Sequence, residues 1–109
     1  MLWYSHLYVG EEAEKKRFSL IQKIRSGSAP AKAYVIVPAS NERNLLDIWE
    51  APSVCTPEAE ERRGRLGQDE LLILGLAWGY GEALELAGQM ANEVYQATGG
   101  FDVKGYLGI

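Results

Sequence analysis

The sequence predicts an α+β domain in which helices pack on a mixed β-sheet, and three observations carry that expectation. Runs of strand length, rich in apolar, β-branched and aromatic residues, occupy positions 2–9, 33–37 and 71–77. Segments with helical spacing of their apolar residues follow the first and the third of these, over 11–25 and 82–97. The order strand, helix, strand therefore recurs at the two ends of the chain.

Each element has a local cause. Alternation over 2–9 puts Trp3, Ser5, Leu7 and Val9 on one face and Tyr4, His6 and Tyr8 on the other. Gly10 ends that strand. Glu11, Glu12 and Glu14 give the next segment the acidic first turn a helix prefers, Arg25 sits in its last turn, and Gly27 stops it. Ala13, Leu20, Ile21 and Ile24 form the apolar stripe of this helix. Arg17 falls inside the stripe, and its stem is expected to lie over Phe18 or Ile21 with its head in water. A loop over 26–31 leads to the second strand, apolar throughout and ended by Pro38.

Ser40, Asn41, Glu42, Arg43 and Asn44 are turn chemistry. Residues 45–50 then read as a third strand hairpinned onto the second; a short helix capped by Ser40 is the alternative, because six residues do not settle the period. Positions 52–69 form a polar surface insert. Within it Thr56 is a cap, Pro57 a first helical residue, Glu58, Glu60 and Glu61 an acidic start, Arg62 and Arg63 a basic end, and Gly64 a stop. That two-turn helix has no apolar face and should be mobile. The strand at 71–77 alternates with nothing polar and belongs in the middle of the sheet. Over 82–97, Ala83, Leu84, Leu86, Ala87, Met90, Ala91, Val94 and Tyr95 cover one half of the helix, while Glu82, Glu85, Gln89, Asn92, Glu93 and Gln96 cover the other. Gly99 and Gly100 end it, and 101–107 closes the chain as an edge strand.

Two strand-helix-strand units, each a right-handed crossover and interleaved in one sheet, give a ferredoxin-like two-layer sandwich of order β-α-β-β-β-α-β. Both main helices then lie on one face, the first strand and 71–77 are central, and the other face is open. A three-layer parallel sheet with helices on both faces ranks second, because two helices cover both faces of a five-stranded sheet poorly. All 109 residues form one domain, since halves of about 55 residues would sit near the lower limit for folding alone.

Composition narrows the function. With 47% hydrophobic and 24% charged residues the chain is no disordered tail. A net charge of -4 argues against nucleic acid, whose binding needs a cationic field. The longest apolar run, seven residues, is far short of the ~20 that span a bilayer, so no membrane partner is expected. One cysteine, Cys55, excludes an internal disulfide and fits the cytoplasm. His6 is the only histidine, so no metal site and no cofactor are expected.

The chemical signals are few. Gly79, Tyr80 and Gly81 form a turn at a helix N-terminus that could hold a small anion, with Arg17 as a further ligand-binding candidate. The dinucleotide fingerprint fails because Leu84 stands where its third glycine belongs. Tyr4, His6 and Tyr8 on the open sheet face are the interface candidates. Three tryptophans, Trp3, Trp49 and Trp78, exceed what one small core absorbs, so some should be partly exposed.

Residues Tyr34-Val35-Ile36-Val37-Pro38-Ala39-Ser40-Asn41, then Asn44-Leu45-Leu46-Asp47-Ile48, Gly79-Tyr80 with Glu82-Ala83-Leu84, and Phe101-Asp102-Val103 resemble a pattern of short bacterial proteins of unknown function. The resemblance implies a stand-alone bacterial protein and brings no activity with it. The expectation is a non-catalytic module that self-associates, as a homodimer, or binds a partner. The alternative is a small cofactor-independent enzyme, with His6 lining an aromatic pocket beside Trp3 or Trp78.

Overall fold

A computed structural model describes residues 1–41 and 43–109; Glu42, part of the expected turn, lies outside the described residues. Strand β1 (Leu2–Val9) leads into two short helices, α1 (Glu11–Glu14) and α2 (Arg17–Arg25). Strands β2 (Ala33–Pro38) and β3 (Leu46–Glu50) form the expected hairpin, so the strand reading of this segment holds. Helices α3 (Ala51–Val54) and α4 (Pro57–Arg65) connect to β4 (Leu72–Trp78), and α5 (Tyr80–Thr98) and α6 (Val103–Leu107) complete the chain.

The protein is an α+β domain on a four-stranded mixed sheet, but the ferredoxin-like layout is corrected in four respects. The strand order is β1-β4-β2-β3, so β1 lies at an edge rather than at the centre. β1 runs parallel to β4, and β2 antiparallel to β4, so β1 and β2 are antiparallel and do not form a parallel crossover. The expected last strand is helix α6. Most consequentially, the two main helices pack on opposite faces.

The face assignment follows from alternation along β2, whereas β4 changes phase opposite the register shift in β1, so that Ile73 and Leu76 share one face and Leu74 and Ala77 the other. Ala33, Val35, Val37, Ile73 and Leu76 join Ala13, Leu20 and Ile24 of α1 and α2, with Ala51 and Cys55, in one buried cluster. Ile36, Leu74 and Ala77 point the other way, into Ala83, Leu86, Met90 and Val94 of α5 and Val103 and Leu107 of α6. A strand with no polar alternation needs both faces covered, and this one has both. Tyr4 and Tyr8 pack against the second cluster, so the face that carries them is not open.

The helix expected over 11–25 breaks at Lys15 and Lys16, where Lys16 leaves helical geometry at φ -130. The break takes Arg17 out of the apolar stripe to a half-exposed rim, where it donates to Glu14 at 3.1 Å. After α2 the chain re-enters the sheet at the end it left, since β2 starts at Ala33 opposite Trp78, the last residue of β4. α6 forms because the Asp102 carboxylate accepts from the Gly105 N–H at 3.0 Å, an N-cap that fixes the helical turn. Val103 and Leu107, four apart, then share its buried side.

The polar insert is less detached than its composition implies. Thr56 caps α4 as expected, accepting from Ala59 N–H at 3.1 Å. However, Ala51, Cys55 and Ala59, spaced by four, are all buried. Cys55 is 2% exposed, and burial first, then the nearby Glu60, pushes its thiol up to about 11. The reactive thiolate is therefore scarce at neutral pH. Alkylation with iodoacetamide at pH 7.5 should proceed at least about a hundredfold more slowly than for the unfolded chain; labelling at the rate of a free thiol would contradict the burial.

Candidate functional site

Two places in this fold gather chemistry. The first is the crevice at the carboxyl ends of β1 and β4, adjacent parallel strands whose following helices, α1 and α5, leave to opposite faces. In open α/β sheets such a switch point is where ligands enter. Here the protein's own Glu82 occupies it. Its carboxylate accepts from Trp78 N–H at 2.9 Å, Glu12 N–H at 2.7 Å and Ala13 N–H at 3.1 Å.

Each bond has a structural cause. Glu82 is the third residue of α5 after its cap Gly79, the position from which a glutamate reaches back over the helix start. Gly79 takes φ 88, which suits glycine and strains any other residue. Glu12 and Ala13 carry free N-terminal donors of α1, whose cap, Gly10, has no side chain to serve them. A Cβ at Gly10 would overlap the Glu82 carboxylate, so the glycine makes room for the remote cap. Burial alone would raise the pKa of Glu82; the three N–H donors outweigh it and hold the carboxyl below its ordinary value.

This geometry bears on the anion-binding candidates. Gly79 N–H donates to the Lys32 carbonyl at 2.7 Å, and Trp78 N–H to Glu82. Tyr80 is exposed and packs at 5.7 Å from Tyr34. Gly81 is exposed. Arg17 is engaged by Glu14, while the cations beside this turn are Lys16, 3.8 Å from the Trp78 ring, and Lys32, 5.6 Å from it. An anion-binding role for Gly79, Tyr80, Gly81 and Arg17 is not carried further: the Gly79 amide is taken by the Lys32 carbonyl, Arg17 by Glu14, and the Glu82 carboxylate already stands at this turn on the Trp78 N–H.

The second place is a ledge along the free edge of β1. Trp3 pairs with Ile73 and Tyr8 with Gly75, so four residues of β1 bulge out against the single Leu74. In a regular strand Tyr4 and Tyr8 would stand roughly 13 Å apart. The bulge stacks their rings at 6.4 Å, with an interplanar angle of 3°, and sets His6 edge-on to Tyr4 at 6.0 Å. Tyr4 donates to the Leu107 carbonyl at 3.1 Å, and Tyr8 donates to Glu93 of α5. Burial, then the bond to Glu93, pushes the Tyr8 phenol above its ordinary range. Tyr106 of α6 is raised too, by desolvation and by the same carboxylate. Glu93 and Tyr106 are the site residues that sequence reasoning missed; nothing local links them to β1.

His6 is exposed on this ledge, so the enzymatic alternative loses its closed pocket. Grooves of about 130 and 460 Å³ run along α4 and include none of His6, Trp3 or Trp78. All three tryptophans are partly exposed, Trp49 to 44%. Among the described residues no group of three His, Cys, Asp or Glu side chains is placed to hold a metal ion, and no helix is long and apolar enough to cross a membrane.

Comparison with protein-family models, with curated proteins and with solved structures finds no match to this chain. The site must be read from its own chemistry.

Two outcomes are expected at the crevice. Gly10→Ala should destabilise the fold by about 1–3 kcal/mol, measured by urea unfolding, because the new methyl displaces the carboxylate. The pKa of Glu82 is depressed on folding, so its contribution is present above the ordinary carboxylate range and lost as pH falls through the lower folded value. Glu82→Gln should therefore be less stable at pH 7 by about 1–2 kcal/mol and converge on the parent in acid. Parallel stability curves down to pH 2 would contradict the depressed value.

Proposed function

We propose that this protein is a non-catalytic binding module whose β1 ledge takes a cationic side chain of a partner. The observation that carries the reading is the bulge that stacks Tyr4 on Tyr8 beside Glu93. Aromatic faces attract a cation, by about 0.5–2 kcal/mol each according to solvation. A carboxylate adds a charge-assisted bond, and its two oxygens offer about four lone-pair sites. Tyr8 uses one of those sites, so Glu93 retains acceptors for an incoming guanidinium or ammonium group. The Leu107 carbonyl adds a further electronegative wall.

The surrounding charge supports the same polarity. Residues 79–109 contain Glu82, Glu85, Glu93 and Asp102 against a single cation, Lys104. The interface candidates Tyr4, His6 and Tyr8 keep their assignment in this reading, moved from an open face to an edge. The single buried thiol supports a cytoplasmic setting.

N-acetyl-arginine amide is a suitable probe. Titrated into the protein, it should shift the ring resonances of Tyr4, His6, Tyr8 and Tyr106, and Glu93→Gln should weaken the response about tenfold. Shifts scattered over the surface, or equal shifts in the variant, would remove the reading.

A further inference from the structure

Resting on that reading of the ledge, we propose that its occupant is Arg25 from a second copy of this chain, so that the site is completed only in a dimer. The two halves of the contact flank the same edge strand. Arg25 of α2 lies 5.6 Å from the ring of Trp3, a β1 side chain that packs against the first face. Tyr4 and Tyr8 of β1, with Glu93 behind them, belong to the second face. A two-fold axis lying along this edge exchanges the faces. Each copy's Arg25 side then meets the other's ledge, and the contact closes without leaving a free end.

Charge complementarity selects this occupant. Residues 15–41 carry Lys15, Lys16, Arg17, Lys23, Arg25 and Lys32 and no acidic residue. Lys15 and Arg17 are paired with Glu12 and Glu14, Lys16 is held 3.8 Å over Trp78, and Lys32 precedes β2, two strands in from the β1 edge. Arg25 and Lys23 enter no ion pair among the described residues. Of these two, the arginine matches a carboxylate flanked by tyrosine rings, since its planar fork bonds bidentately and stacks on aromatic faces.

The apolar partners match as well. Phe18 stands two helical turns before Arg25, on the same line of α2, and is 88% exposed. A phenylalanine so bare on a cationic helix has no packing role within this fold. Beside the ledge, Tyr106, which neighbours Glu93 and Tyr4, is 39% exposed and gives Phe18 of the second copy an apolar seat. Edge chemistry agrees: β1 carries no charged residue along its eight positions, whereas β3, the other edge, is shorter and carries Asp47 and Glu50.

Sedimentation equilibrium of the wild type and of charge reversals tests the proposal. The wild type should dimerise, and Arg25→Glu or Glu93→Arg alone should raise the dissociation constant at least about tenfold. Mixing the two variants in equal amounts should restore the dimer, because each contact again joins opposite charges. Circular dichroism confirms folding, and Glu93→Gln, which keeps an acceptor for Tyr8, serves if Glu93→Arg does not fold; it should weaken the dimer in the same direction. A wild type that stays monomeric at millimolar concentration, or a mixture no more associated than its components, overturns self-pairing. If N-acetyl-arginine amide still binds the ledge of such a monomer, the cation-binding reading stands and only the second copy is excluded as partner.

Discussion

The Glu82 carboxylate is the constraint on which the arrangement of this fold depends. Two helices that cover opposite faces of a sheet have no direct contact through which to fix one another. Here one side chain, at the start of α5, caps the first turn of α1 and ties down the last residue of β4. A four-residue helix such as α1 is too short to be stable alone. Its N-terminal donors are served by a residue 70 positions away, so its formation is coupled to that of α5. Gly10 and Gly79 follow from this one bond set: the first leaves space for the carboxylate, and the second turns the chain toward it.

A ligand-ready geometry filled by the protein itself also redirects the search for function. Adjacent parallel strands feeding helices to opposite faces create a crevice where other proteins bind anions. Filling it from within converts a binding position into a structural one, and moves the available chemistry to the edge. There the bulge in β1 brings side chains four residues apart into contact and aims them at α5 and α6. Bulges commonly re-aim side chains in this way.

Much of the fold was legible. The interior strand β4, the β2–β3 hairpin, the Thr56-Pro57 start of α4 and the amphipathic α5 all follow from local signals in the chain. The layer arrangement was partly legible, in that the unbroken apolar runs of β2 and β4 demand two covered faces. Counting only two good helices against five strands argues the other way, and the structure resolves the conflict with fewer strands and more helices. Residues 101–107 become α6, and Ala51, Cys55 and Ala59 give the polar insert a buried side. The misreading of 101–107 has a clear source: Phe101, Val103 and Tyr106 favour a strand, while the decisive bond runs from Gly105 to Asp102. For the site, alternation correctly grouped Tyr4, His6 and Tyr8. It could not supply Glu93 or Tyr106, because the bulge and the α5–α6 placement that bring them near are long-range outcomes.

Amide hydrogen exchange at Glu12, Ala13 and Trp78 tests the Glu82 junction most directly. These three N–H groups lie in two elements, α1 and the end of β4, yet share one acceptor, so in the native protein they should be protected together. In Glu82→Ala all three should lose protection in concert, while the amides of the β2–β3 hairpin retain theirs. Independent behaviour of the three, or unchanged protection in the variant, would contradict the central role of this carboxylate.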